Sequence, residues 1–101
     1  MITEKQRELI LKSAEHWGIP SQFDQLHEEV GELIVEINHL KRNRTTIDKV
    51  ITEISDVRLM LKAIKTILEI SDEDCEKSEE VQWEKWERQL NKSIEKDSEN
   101  V

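Results

Sequence analysis

Five acids in two short patterns carry the chemistry that this sequence offers. The first pattern is Glu28-Glu29-Val30-Gly31-Glu32, with Glu36 one turn beyond it, and the second is Glu53-Ile54-Ser55-Asp56. At about 100° per helical residue, Glu29, Glu32 and Glu36 share one helix face, and Glu53 shares a face with Asp56. Like charges at this spacing repel, at a cost of roughly 0.2–0.5 kcal/mol per pair. Either solvent or a bound cation must offset that cost. Oxygen-only ligands suit a hard cation, Mg2+ or Mn2+ before Zn2+. On facing helices the pairs Glu29/Glu32 and Glu53/Asp56 would set four carboxylates around one point. Such a site fits phosphoanhydride hydrolysis, in which the ion clamps phosphate oxygens and orients a water. No Gly-rich phosphate loop is present, so a P-loop route is excluded.

The elements that must position these acids are helices. Thr3-Glu4-Lys5-Gln6 is a capping-box pattern that starts a first helix, expected to run to about Trp17 and to stop at Gly18-Ile19-Pro20. Ser21 is the expected cap of a second helix, from about Gln22 to Lys41. Its apolar stripe is Leu26, Val30, Leu33, Ile37 and Leu40. Glu29, Glu32 and Glu36 lie beside that stripe, and Glu28 sits further round, towards solvent. Gly31 would let another helix approach closely. After the basic break Lys41-Arg42-Asn43-Arg44, Thr45-Thr46-Ile47-Asp48 offers a cap for a third helix. Its long stripe comprises Val50, Ile54, Val57, Leu61, Ile64 and Leu68. Glu53 and Asp56 border it, so antiparallel packing of the second and third helices would bring both acid pairs together. Ser71 caps a fourth, acidic helix with Trp83, Trp86, Leu90 and Ile94 as its few apolar residues. The tail after about Lys96 is expected to fray.

The fold expected is therefore all-α, a bundle of about four helices in a single domain over 1–101, with its core at about 3–70 and an acidic fourth helix and tail at 71–101. A chain of 101 residues with 2 Gly and 1 Pro has little punctuation for an all-β fold. It buries a limited core alone, so its long stripes suggest a core completed by a partner subunit. The net charge of −8 is uneven: residues 1–68 carry 11 acids against 10 bases, and residues 69–101 carry 12 against 5. Such a chain is a poor tracker of nucleic-acid phosphates. The single cysteine, Cys75, excludes an intrachain disulfide and suits a reducing compartment. No apolar run approaches the roughly 18 residues of a membrane span, and no signal-peptide pattern is present. A soluble, cytoplasmic protein with no membrane or nucleic-acid partner is expected.

The two acid patterns, with the hydrophobic positions around them and the upstream Gln25, resemble the all-α nucleoside triphosphate pyrophosphatases. That superfamily includes the MazG proteins, the dimeric all-α dUTPases and phosphoribosyl-ATP pyrophosphatase. The resemblance covers roughly residues 15–70. It implies a MazG-like fold, Glu29, Glu32, Glu53 and Asp56 as Mg2+ ligands, and Glu28 assisting the attacking water. It also implies cleavage of a nucleoside triphosphate between the α and β phosphates, giving the monophosphate and pyrophosphate, in a dimer or tetramer. Some relatives carry a late-helix K-x-x-R pattern on the phosphates, for which Lys85 and Arg88, with Lys92, are the counterparts here.

Other residues have plainer readings. His27 and His39 are about 120° apart in helical phase and cannot converge on a metal. Cys75 sits among acids, which disfavours a thiolate. Lys41, Arg42 and Arg44 read as a solvated loop. Trp83 and Trp86 read as core or interface residues. Trp17, just before the acidic helix, is a candidate for stacking on a nucleobase. Two rival functions stand beside the enzyme: a helical interaction protein whose acids are a solvated face, and a nucleotide-sensing relative that does not hydrolyse.

Overall fold

The computed structural model describes residues 1–99, which are helical with no strand among them: α1 (Glu4–Trp17), α2 (Ile19–Lys41), α3 (Ile47–Ile67) and α4 (Asp72–Glu99). The chain is thus all-α. It divides into two compact units, Met1–Glu69 and the segment from Ile70 onward.

In the first unit, α1 begins at the expected capping box. Thr3 Oγ1 accepts the Gln6 N–H at 3.1 Å, and Gln6 Oε1 accepts the Thr3 N–H at 2.9 Å. Gly18, at φ 88°, ends the helix, and its N–H donates to the Ala14 carbonyl at 2.8 Å. The next helix starts at once, at Ile19, with no side-chain cap. The first helix stops after Trp17 as expected, but the expected start of the second at about Gln22, capped by Ser21, is corrected. Proline is tolerated in a helix's first turn, where its missing N–H would have had no intrahelical partner. Pro20 therefore opens α2.

The turn after α2 closes through Asn43, at φ 56°, with the Arg44 N–H donating back to the His39 carbonyl at 2.9 Å. Thr46 caps α3, its Oγ1 accepting the Lys49 N–H at 3.4 Å. This short turn makes α2 and α3 antiparallel neighbours. As α2 is read back from Glu36 to Glu29, the facing chain advances from Thr45 to Asp56. Their contact is the main one of the unit, and α1 lies against both. Burial is shallow. Val50 and Ala63 form the core, each 7% exposed. Leu26, Leu33, Leu40, Val57 and Ile64 are half-buried, while Val30, Ile37, Ile54, Leu61 and Leu68 stay exposed. Each stripe is wider than one neighbouring helix can cover.

In the second unit, Ser71 caps α4 as expected, its Oγ accepting the Asp74 N–H at 3.1 Å. Asp72, Glu73 and Asp74 occupy the first turn, where the helix dipole favours negative charge. Trp83 and Trp86 stack face to face, with ring centroids 5.4 Å apart and planes at 14°. The expected fraying after Lys96 is corrected over the described part. The helix runs on to Glu99, with no Gly or Pro to stop it and Lys96 in its last turn, where a cation suits the dipole. Asn100 and Val101 of that tail lie outside the described residues. Among the described residues, no helix is long and apolar enough to cross a membrane.

Two glycines make the backbone argument testable. A Cβ added at Gly31 would meet nothing within 4 Å, whereas Gly18 occupies a backbone region that L-residues rarely adopt. Gly31→Ala is expected to stabilise the fold by about 0.5–1 kcal/mol. Gly18→Ala is expected to destabilise it by about 1–3 kcal/mol. Urea unfolding of the two variants checks both signs.

Candidate metal centre

The α2–α3 seam brings acids from both helices to one place. Glu29 from α2 and Glu53 and Asp56 from α3 each offer a carboxylate oxygen, and these atoms all lie within 4.8 Å of one another. The three side chains are half-buried. Glu29 Oε2 and Glu53 Oε2 are shielded from water and have no hydrogen-bond partner. A buried carboxylate oxygen with no donor is costly as an anion. A hard cation between them would satisfy both oxygens, and the all-oxygen donor set matches Mg2+ or Mn2+. The residues present therefore fit such an ion.

Neighbouring side chains hold parts of this arrangement. The Gln25 amide donates from Nε2 to Glu29 Oε1 at 2.8 Å, one helical turn away. That bond holds one Glu29 oxygen, while the other stays shielded and without a partner. Thr45, in the turn before α3, donates from Oγ1 to Glu36 Oε1. Glu36 is thus tied to the α2–α3 turn and is absent from the three-carboxylate cluster.

Glu32 stands differently from the other three expected ligands. It is exposed, outside the close cluster, and lies with Glu28, Gly31, Glu36 and Glu53 along a cavity of ≈ 470 Å³. Its carboxyl is held above the ordinary glutamate range, first by the charge of Glu29, then by partial desolvation, by a hydrogen bond with Glu29, and by the charges of Glu53 and Glu28. Glu32 therefore senses the cluster electrostatically while standing beside it. Glu28 is exposed on the same side, and Glu53 belongs both to this cavity and to the cluster.

A second cavity, of ≈ 550 Å³, opens on the other side of the cluster, where Glu29 and Asp56 form part of its wall. Trp17 and Gln25, both singled out in the sequence, line it as well. Trp17 is 64% exposed and meets the His16 ring edge-on at 5.3 Å. The cavity also recruits residues that the sequence reading missed: Ser13, Ser21, Gln22, Leu59 and Met60. Helical spacing carried a signal for some of them. Ser13 lies one turn before Trp17, Gln22 one turn before Gln25, and Leu59 and Met60 one turn after Asp56. Lys85 and Arg88 lie on α4, in the second unit. Among the described residues no histidine belongs to a metal-binding cluster.

In comparisons with known proteins, no family model, no curated protein and no solved structure matches the chain.

The raised Glu32 carboxyl gives a pH dependence with a definite sign. Its folded-state pKa exceeds its unfolded value, so the native state binds more protons across that window. Its contribution to stability is present below the unfolded pKa and is lost as pH rises through the folded pKa. In metal-free buffer the protein is expected to lose stability as pH climbs from the ordinary glutamate range through the raised value. Glu32→Gln should flatten that slope, as read by thermal unfolding across a pH series.

Proposed function

We propose that this chain is a MazG-like, Mg2+-dependent nucleoside triphosphate pyrophosphohydrolase. It would convert a (d)NTP and water to the (d)NMP and pyrophosphate, as a cytoplasmic homo-oligomer that clears the nucleotide pool. The observation that carries this reading is the pair of shielded, partnerless oxygens, Glu29 Oε2 and Glu53 Oε2, in a cluster with Asp56 whose Glu29 and Asp56 also line the cavity that Trp17 lines. The motif resemblance supports it from the sequence side.

In this reading Glu29, Glu53 and Asp56 hold the ion, and Glu32 joins from the neighbouring cavity. When bound, Mg2+ supplies charge neutralisation to phosphate oxygens and a fixed orientation for the attacking water. Gln25 holds one Glu29 oxygen. Glu28, exposed beside Glu32, accepts a proton from the attacking water. Trp17 offers a stacking surface to the base, with Ser13, Ser21 and Gln22 as polar groups for its edge or the sugar. Lys85 and Arg88 are counterparts, by the motif resemblance alone, of a late-helix basic pair that serves phosphates in some relatives. Attack at either phosphorus breaks the anhydride between the α and β phosphates. Hydrolysis in ¹⁸O water would place the label in the monophosphate for attack at the α phosphorus, and in pyrophosphate for attack at the β phosphorus.

Mg2+ or Mn2+ is expected to raise the Tm, and Glu29→Gln or Asp56→Asn to abolish that rise. A panel of canonical and modified nucleotides with Mg2+ should then yield pyrophosphate from at least one. No Tm shift in the parent protein would remove the metal site. A shift with no product from any nucleotide would leave a binding protein in place of an enzyme. Trp17→Ala is expected to raise KM about tenfold with little change in kcat, because a base–aromatic stack contributes ~1–3 kcal/mol.

A further inference from the structure

The cavity that Trp17 lines has a hydrogen-bonding polarity of its own. Its other polar side chains are Ser13, Ser21, Gln22, Gln25, Glu29 and Asp56. Among the described residues, no Lys, Arg or His lines it, so no cation supplies it with a strong donor. Glu29 and Asp56, when ionised, only accept. Two of the neutral side chains have already spent a donor inside the protein. Ser13 Oγ donates to the Leu9 carbonyl at 2.8 Å, one turn back along α1. Gln25 Nε2 donates to Glu29 Oε1 at 2.8 Å.

These commitments bias the wall towards accepting. A serine hydroxyl has one hydrogen and two lone pairs, so Ser13 has only lone pairs left for a ligand. Gln25 keeps its carbonyl oxygen and one amide hydrogen, and Ser21 and Gln22 can donate or accept. The indole N–H of Trp17 lies in the ring plane, so a ring stacked on the indole face does not meet it. Ser13 stands one helical turn before Trp17 on the same side of α1, and both line the cavity. An exocyclic amine on a stacked base brings two N–H hydrogens to such a wall. An oxo group in the same place brings lone pairs alone, and lone pairs facing lone pairs in a part-buried site leave both groups unsatisfied. Cytosine and uracil differ by this exchange, and so do adenine and hypoxanthine.

We propose that Ser13 makes this cavity selective for an amine-bearing nucleobase, cytosine or adenine, over its oxo counterpart, with the amine donating to Ser13 Oγ while the ring lies on Trp17. The inference rests on the proposed placement of a nucleobase against Trp17, and it adds which bases that surface takes. To serve an oxo group instead, Ser13 must withdraw its hydrogen from the Leu9 carbonyl. The loss of one neutral hydrogen bond corresponds to a preference of about five- to tenfold.

The test uses the full chain with Trp83→Phe and Trp86→Phe, so that Trp17 alone emits, titrated with uncharged nucleosides. Such ligands make binding independent of any metal ion and of hydrolysis. Deoxycytidine should quench Trp17 at about five- to tenfold lower concentration than deoxyuridine, and deoxyadenosine likewise against deoxyinosine. Ser13→Ala should bring each pair to within about twofold by weakening the amine-bearing member alone, with helical circular dichroism unchanged. No quenching by any nucleoside would overturn the proposal. Equal or reversed affinities within each pair, or a preference that survives Ser13→Ala, would overturn it equally. The expected preference in a chain that shows neither a Mg2+-dependent rise in Tm nor pyrophosphate release would support the base pocket and remove the hydrolase reading.

Discussion

The mutual repulsion of carboxylates along the α2–α3 seam is the constraint that the first unit is built around. Acids placed opposite the apolar stripes would have been solvated at little cost. Here they border the stripes, so packing the helices draws Glu29, Glu53 and Asp56 together and removes two of their oxygens from water. The apolar contacts of α2 with α3 must outweigh that electrostatic cost. Side chains outside the cluster manage what is left. Gln25 gives Glu29 a donor, and Thr45 draws Glu36 away to the turn. The like-charge field falls on Glu32, whose carboxyl holds its proton more tightly.

The two units handle hydrophobic surface in different ways. The first concentrates it on long stripes and buries only Val50 and Ala63 well. The second is a single long polar helix whose apolar content is gathered in one short run around the stacked tryptophans. Neither resembles a closed core, and the shallow burial agrees with the small size of the chain.

The sequence makes much of this arrangement readable, because helical phase is nearly deterministic once a helix is granted. The acids beside the stripes, the Thr3 and Thr46 caps and the antiparallel return after Lys41 all follow from spacing and turn chemistry. What the sequence leaves open depends on quantities that phase does not carry. Glu29 and Glu32 are about 60° apart on α2, and the way α3 sits against α2 decides that Glu29 reaches Glu53 and Asp56 while Glu32 stands aside. The start of α2 is misread from Pro20, because proline breaks a helix interior and opens a helix start equally well. The Thr45–Glu36 bond joins a turn residue to a helix residue across the hairpin, and no local pattern announces it.

The junction at Gly18 has a further consequence. A single residue separates α1 from α2, and Trp17 is the last residue of α1. The cavity beside Glu29 and Asp56 has walls on α1, α2 and α3, and Gly18 joins the first two of these. The place of its Trp17 wall follows from the Gly18 torsions and from the packing of α1 on α2 and α3, while its acids are set by the α2–α3 seam. A substitution on α1 that shifts Trp17 would thus reshape one wall of the cavity while the α2–α3 hairpin still carries all three clustered carboxylates.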